Sequence, residues 1–274
     1  MKMIKKIFLT AALVLAAGVS NAFADVKLSD KSISVIEDFL EQKIPFSASD
    51  TPQDALDLLD KWIADNQADI DSLTEVEQMV LTNLIDCEIY TYRIQMPNTK
   101  KELIKLLSAQ TKVAADYLEA HKGEALDKWI YLSAGSVTSV YMALEPLKTA
   151  FTYGYSVRDN FQKAVDLDPY FSYGWRNLAQ WYFYCPGFLG GSKKIAKEYF
   201  QKSMALAKKP SDVYESTILM SQVFYEDKKF EDCTAYLNLA EAFTQGNNCY
   251  IQFVRSVNAK GESIFKFHGH KADK

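Results

Sequence analysis

Residues 161–210 read FQKAVDLDPYFSYGWRNLAQWYFYCPGFLGGSKKIAKEYFQKSMALAKKP. An apolar helical face ends at Asp168-Pro169. A second helix, crowded with aromatic residues, stops at Cys185-Pro186-Gly187. The pair Gly190-Gly191 then makes a turn, where glycine supplies the positive φ, and a third helix opens. Fifty residues thus predict three helices with short connections.

The pattern repeats outward from this stretch. A small residue, a large apolar residue four places on and a small residue three further occur as Val157-Phe161-Ala164, Ala196-Phe200-Ser203 and Cys233-Leu237-Ala240, spaced 39 and 37 residues apart. The intervening helices carry Trp175-Leu178-Ala179-Tyr182 and Thr217-Met220-Ser221-Phe224. Antiparallel helices approach closely only where side chains are small, and the large residue one turn away fills the groove between hairpins. A single hairpin leaves one face uncovered, so copies must stack.

These residues resemble the tetratricopeptide repeat family, whose period is about 34 residues. The match is best from Val157 to Ala240. Phe161, Ala164 and Pro169 sit at the family's spacing for the end of one repeat, and Trp175, Leu178, Ala179 and Tyr182 at its spacing for the start of the next. Trp129, Leu132 and Ser133 hint at an earlier copy and Ala55-Leu59-Trp62 at a degenerate one. The resemblance implies a right-handed α-solenoid of about five hairpins plus a terminal helix. It divides the chain into degenerate hairpins over 25–123, repeats and a cap helix over 124–258, and a flexible tail over 259–274. By the family's geometry, Tyr173, Arg176, Gln180, Phe183 and Tyr184 line a concave groove that binds a protein or peptide.

The segment Tyr184 to Ser192, followed by KKIAKEYFQKSMAL, looks like the T-component family of TRAP transporters. That resemblance adds a pore or cleft holding a small hydrophobic ligand, and a solute-binding protein as partner. The insertion Cys185, Pro186, Gly187, Phe188, Leu189, Gly190 and Gly191 is where it applies. The chain departs from that family in lacking a lipid-anchor cysteine at its leader, and its N-terminal half shows no alignable motif.

Composition narrows the function classes. Lys2, Lys5 and Lys6 precede the apolar run Ile7 to Val19, and Ala22-Phe23-Ala24 is a small-x-small cleavage pattern, so residues 1–24 read as a signal peptide and the mature chain as periplasmic or otherwise extracytoplasmic. Removing the leader, with its three lysines and no acid, takes the net charge from −4 to −7. An acidic chain lacks the basic face that nucleic acid rewards. No segment after the leader has the length and hydropathy to span a bilayer.

Elsewhere the helical period is nearly continuous and no stretch alternates, so no sheet is expected. Ile33, Ile36 and Leu40 start a helix ending near Pro45, with a polar turn from Phe46 to Asp50. Thr51-Pro52 opens a helix with the stripe Ala55, Leu58, Leu59 and Trp62. Thr74 with Glu77 and Thr99 with Glu102 read as capping boxes. Ser211-Asp212 reads as a further cap, and the last helix runs from about Cys249 to Asn258.

No catalytic machinery emerges. The three histidines flank no nucleophile motif; His268 and His270 lack a third metal ligand, and Gly190-Gly191 lacks the strand and GK[ST] ending of a phosphate loop. The expectation is a non-enzyme without cofactor or metal. Cys87 and Cys233 read as buried small hydrophobes, while a Cys185–Cys249 bridge stays open.

Overall fold

The computed structural model describes residues 25–244 and 246–267. The expected signal peptide, and His268 and His270, lie outside the described residues. The chain is all-α. Its helices are α1 (Asp30–Glu41), α2 (Lys43–Ser47), α3 (Pro52–Asp65), α4 (Gln67–Asp71), α5 (Glu75–Arg93), α6 (Lys100–Ala120), α7 (Lys128–Leu144), α8 (Pro146–Leu167), α9 (Ser172–Tyr184), α10 (Lys193–Leu206), α11 (Pro210–Glu226), α12 (Phe230–Glu241) and α13 (Cys249–Ala259). Single 3-10 turns cover Gly187–Leu189 and Ile264–Lys266. Among the described residues there is no strand, only an isolated bridge between Val26 and Leu126.

Local chemistry sets many of the helix ends. Pro52 occupies the first turn of α3, and Thr51 and Asp54 cap each other. Thr74 and Glu77 do the same for α5. Other expected caps fail. The Thr99 hydroxyl donates backward to the carbonyls of Arg93 and Met96, and Glu102 pairs with Arg93 instead. Ser211 and Asp212 sit inside α11, buried and committed to distant partners. Pro45 does not end the N-terminal helical segment; α2 carries it on, and Phe46 is buried rather than part of a polar turn. Leu58 is largely exposed and drops out of its stripe.

Successive helices pack as neighbouring pairs, most extensively α7 with α8, α9 with α10 and α11 with α12. The repeated triplets form the seams. Val157, Phe161, Ala164, Ala196, Phe200, Ser203, Cys233, Leu237 and Ala240 are all buried, as are Trp175, Leu178, Ala179, Thr217, Met220 and Ser221. Gly135 shows why small residues recur: a Cβ there would lie 2.5 Å from the Phe161 ring. The α5–α6–α7 contact adds a buried polar relay, with Gln110 donating to Asn83 and Asn83 to Ser133. Gln110 lies buried on the inner face of α6, its amide satisfied by Asn83.

The chain also closes on itself. Helices α1 and α2 pack against α11, and α2 against α13. The Cys249 amide donates to the Ser49 carbonyl at 3.0 Å. At the opposite end, the Ser29 amide donates to Glu77 at 2.7 Å. The segment after α13 is not a frayed tail up to Phe267: Ser263 and Phe265 are buried, and Glu226 accepts from Ser263 and pairs with Lys266.

Two outcomes follow from this packing. Gly135→Ala gains about 1 kcal/mol of helix propensity but overpacks the Phe161 seam, which costs about 1–3 kcal/mol. Urea denaturation should therefore show a net loss. Burial raises the Glu77 carboxyl, but hydrogen bonds from Ser29 and Thr74 outweigh it and hold the group at about 2 against an ordinary 4.5. A folded value below the unfolded one stabilises above the ordinary value and is lost as pH falls. The stability gap between wild type and Glu77→Gln should shrink steadily between pH 4.5 and 2.

Candidate functional site

Helix α9 supplies the centre of the site. Its residues Tyr173, Arg176, Gln180 and Tyr184 recur at helical spacing and line one cavity of about 230 Å³. Helix α5 contributes Leu84, Cys87 and Tyr90; α7 contributes Trp129, Leu132, Ser136 and Ser139. Leu40 and Lys43 from the N-terminal helices close one side. Tyr250 and Phe253 from α13, with Phe265 beyond it, close another. Four of the five residues expected in a groove thus come together, but in an interior chamber covered by the two ends of the chain.

Phe183 is the exception. Its ring packs against Phe265 at 4.4 Å and under the Lys193 ammonium at 5.4 Å, outside the lining. The insertion loop is also separate from the cavity. Gly190 adopts φ 97°, and a Cβ on Gly191 would lie 1.6 Å from the Cys185 carbonyl oxygen, so both glycines are required by the turn. Phe188 points outward, 88% exposed. All four cysteines are free thiols, so no Cys185–Cys249 bridge forms. Cys87 is half-buried at the cavity wall, and burial pushes its thiol well above its ordinary value.

Arg176 does not present a free cation. It is 5% exposed, and its two amino groups bond Asp212 and Glu215, each at 2.6 Å. Glu215 is shared with Lys43 at 2.6 Å, and Lys43 also reaches Glu88 at 2.9 Å. Burial opposes the charge on Lys43, but Glu215 and Glu88 outweigh it and hold its pKa above the ordinary lysine value. Burial likewise opposes the charge on Arg176, and Glu215 and Asp212 outweigh it. On Glu215 burial is overcome by Arg176 and Lys43, which lower its pKa. Asp212, which also accepts from Ser172, is pushed up by burial despite Arg176. Two cations face three carboxylates, so every positive charge here has a protein partner.

What stays open is uncharged. Among the described residues, the hydroxyls of Tyr90, Tyr184 and Tyr250 and the amide of Gln180 make no hydrogen bond, though all four residues line the cavity. Burial pushes all three phenols up, Tyr90 to about 12, so they remain neutral donors. Tyr184 keeps half its surface accessible at the cavity wall. The chamber therefore offers aromatic walls, three phenol donors and one carboxamide, and no unpaired charge.

Sequence reasoning picked out the α9 face but not Lys43, Tyr90, Glu88, Glu215 or Tyr250. One signal was available: Glu88 and Asp86 interrupt the apolar stripe of α5, and a carboxylate buried there needs a cation or a proton. Burial pushes the Asp86 carboxyl up to about 8, so the neutral form is favoured there. Among the described residues no group of three or more His, Cys, Asp or Glu is placed to hold a metal ion, and no helix is long and apolar enough to cross a membrane.

Comparison with known proteins finds no matching family model, and neither curated proteins nor solved structures give a significant match.

Truncating Arg176 should expose its structural role. Arg176→Met leaves Asp212 and Glu215 buried with one cation fewer, at a cost of about 3–5 kcal/mol. The thermal midpoint should fall by on the order of 10 °C. An unchanged melt would mean that the side chain is free for a partner.

Proposed function

We propose that this chain is a non-catalytic binding protein that holds a small, uncharged, oxygen-bearing hydrophobic molecule in the chamber along α9. One observation carries this reading: three neutral phenols and the Gln180 amide face the same aromatic cavity without protein partners. Phenol hydroxyls donate, so the guest carries acceptor oxygens, as an alcohol, ester or ketone does. The paired charges of Arg176 and Lys43 give a carboxylate or phosphate no unpaired cation to meet. Most of the lining is apolar and aromatic, which suits an apolar body.

A peptide groove needs an open face. Along Tyr173 to Tyr184 that face is covered by the N-terminal helices and by residues 260–267, and this favours the small-molecule reading. We read the hairpin succession as a right-handed solenoid of tetratricopeptide type, supported by the buried triplets and the neighbour packing. The setting implied by the resemblance to TRAP T-components is extracytoplasmic, with a solute-binding protein as partner.

The test pairs two probes of equal chain length, 1-decanol and decanoate, in calorimetric titrations. The alcohol should bind and the carboxylate should bind more weakly. Gln180→Leu and Tyr184→Phe should each weaken the alcohol by about fivefold, the worth of one neutral hydrogen bond of about 1 kcal/mol. Tighter binding of decanoate, or native mass spectra and organic extracts without any guest, would overturn the proposal.

A further inference from the structure

The first half of α8 stands clear of the packed core. Pro146, Leu147, Lys148, Ala150, Phe151 and Thr152 are exposed, and Thr149 alone is buried there. Leu147, Phe151 and Tyr155 recur every four residues at 95%, 90% and 52% exposure, so they form one stripe. Arg158 continues it, with its guanidinium over the Tyr155 ring at 5.3 Å and the Trp181 ring at 5.5 Å. The Trp181 indole donates to the Gly154 carbonyl at 2.6 Å, and Gly190 lies against the same indole. The loop bearing exposed Phe188 is thereby set beside the stripe. Solitary exposed apolar residues need no explanation, but a contiguous set does.

We propose that this stripe is a self-association surface, through which two copies of the chain pair α8 against α8, antiparallel about Phe151. The pattern is self-complementary under a two-fold axis. With Phe151 at the axis, Leu147 meets the Tyr155 of the second copy. At both ends the Glu145–Lys148 pair of one copy lies near the Arg158–Asp159 pair of the other, so the rim is charge-neutral. Area agrees: four such side chains carry on the order of 600 Å². Two copies would bury about 1,200 Å², the lower limit for a specific interface. A bilayer suits the stripe less well, because insertion would carry the Arg158–Asp159 pair out of water. The surface is separate from the ligand chamber and does not depend on a guest.

Sedimentation equilibrium tests this. Wild type should associate reversibly as a dimer, and Phe151→Glu should be monomeric. Leu147→Ser, at a position with no packing role, should weaken association while leaving the near-ultraviolet circular dichroism unchanged. A wild type that stays monomeric at concentrations on the order of hundreds of micromolar, well above a weak dissociation constant, overturns the proposal. So does a dimer that Phe151→Glu does not touch. Binding of monomeric wild type to zwitterionic vesicles, abolished by Phe151→Glu, would give the stripe to lipid and overturn it too.

Discussion

The carboxylate of Glu215 holds two cations that come from opposite ends of the chain's logic. Arg176 belongs to the aromatic helix of the repeats, and Lys43 to a short N-terminal helix with no repeat signature. Removing any one of the three leaves a buried charge without its counterpart, which costs more than the pair contributes. The chamber therefore exists only when the N-terminal helices, α5, α9 and α11 are all in place. The same requirement makes the network specific: an ammonium, a guanidinium and three carboxylates are satisfied in one arrangement of these helices.

Charge neutralisation also shapes the chemistry of the cavity. An arginine on the inner face of a helical hairpin invites a reading as an anion or peptide anchor. Here its donors are spent within the protein, and it contributes a flat surface against which Tyr173 stacks at 4.5 Å. The groups on its wall without hydrogen-bond partners among the described residues are the neutral phenols and Gln180. Among the described residues, Tyr173 is the one chamber tyrosine with a hydrogen-bond partner: it shares a hydrogen bond with Ser211, whose own hydroxyl donates to Glu41.

The helices were legible in the sequence wherever period and caps agreed. Thr51-Pro52, Thr74 with Glu77, and the small-large-small triplets each act within a few residues, and each appears in the structure as read. The failures share a cause. Thr99, Ser211 and Asp212 have the chemistry of helix caps, but tertiary partners claim them. Phe46 and Phe265 lie in segments with no period of their own; Phe46 is buried beside Phe39 and α3, and Phe265 against Phe183 and Phe200, far away in sequence. At the site, α9 could be read because its spacing is local. Lys43 and Tyr250 could not, because only the return of the N-terminal and C-terminal helices brings them beside it, and Tyr90 could not, because it arrives through the packing of α5 on α7.

That return has a consequence for how the molecule is assembled. The contact between Lys43 and Glu215 spans 172 residues, and the one between Ser49 and Cys249 spans more. The hairpins between can form from local contacts as they emerge. Helices α1 and α2 appear first, and their seats on α11 and α13 exist only once those later helices are made. Loop-closure entropy of this length slows the final step without weakening the finished state. Without those contacts the ion network lacks Lys43 and the chamber lacks the walls that α13 and Phe265 supply.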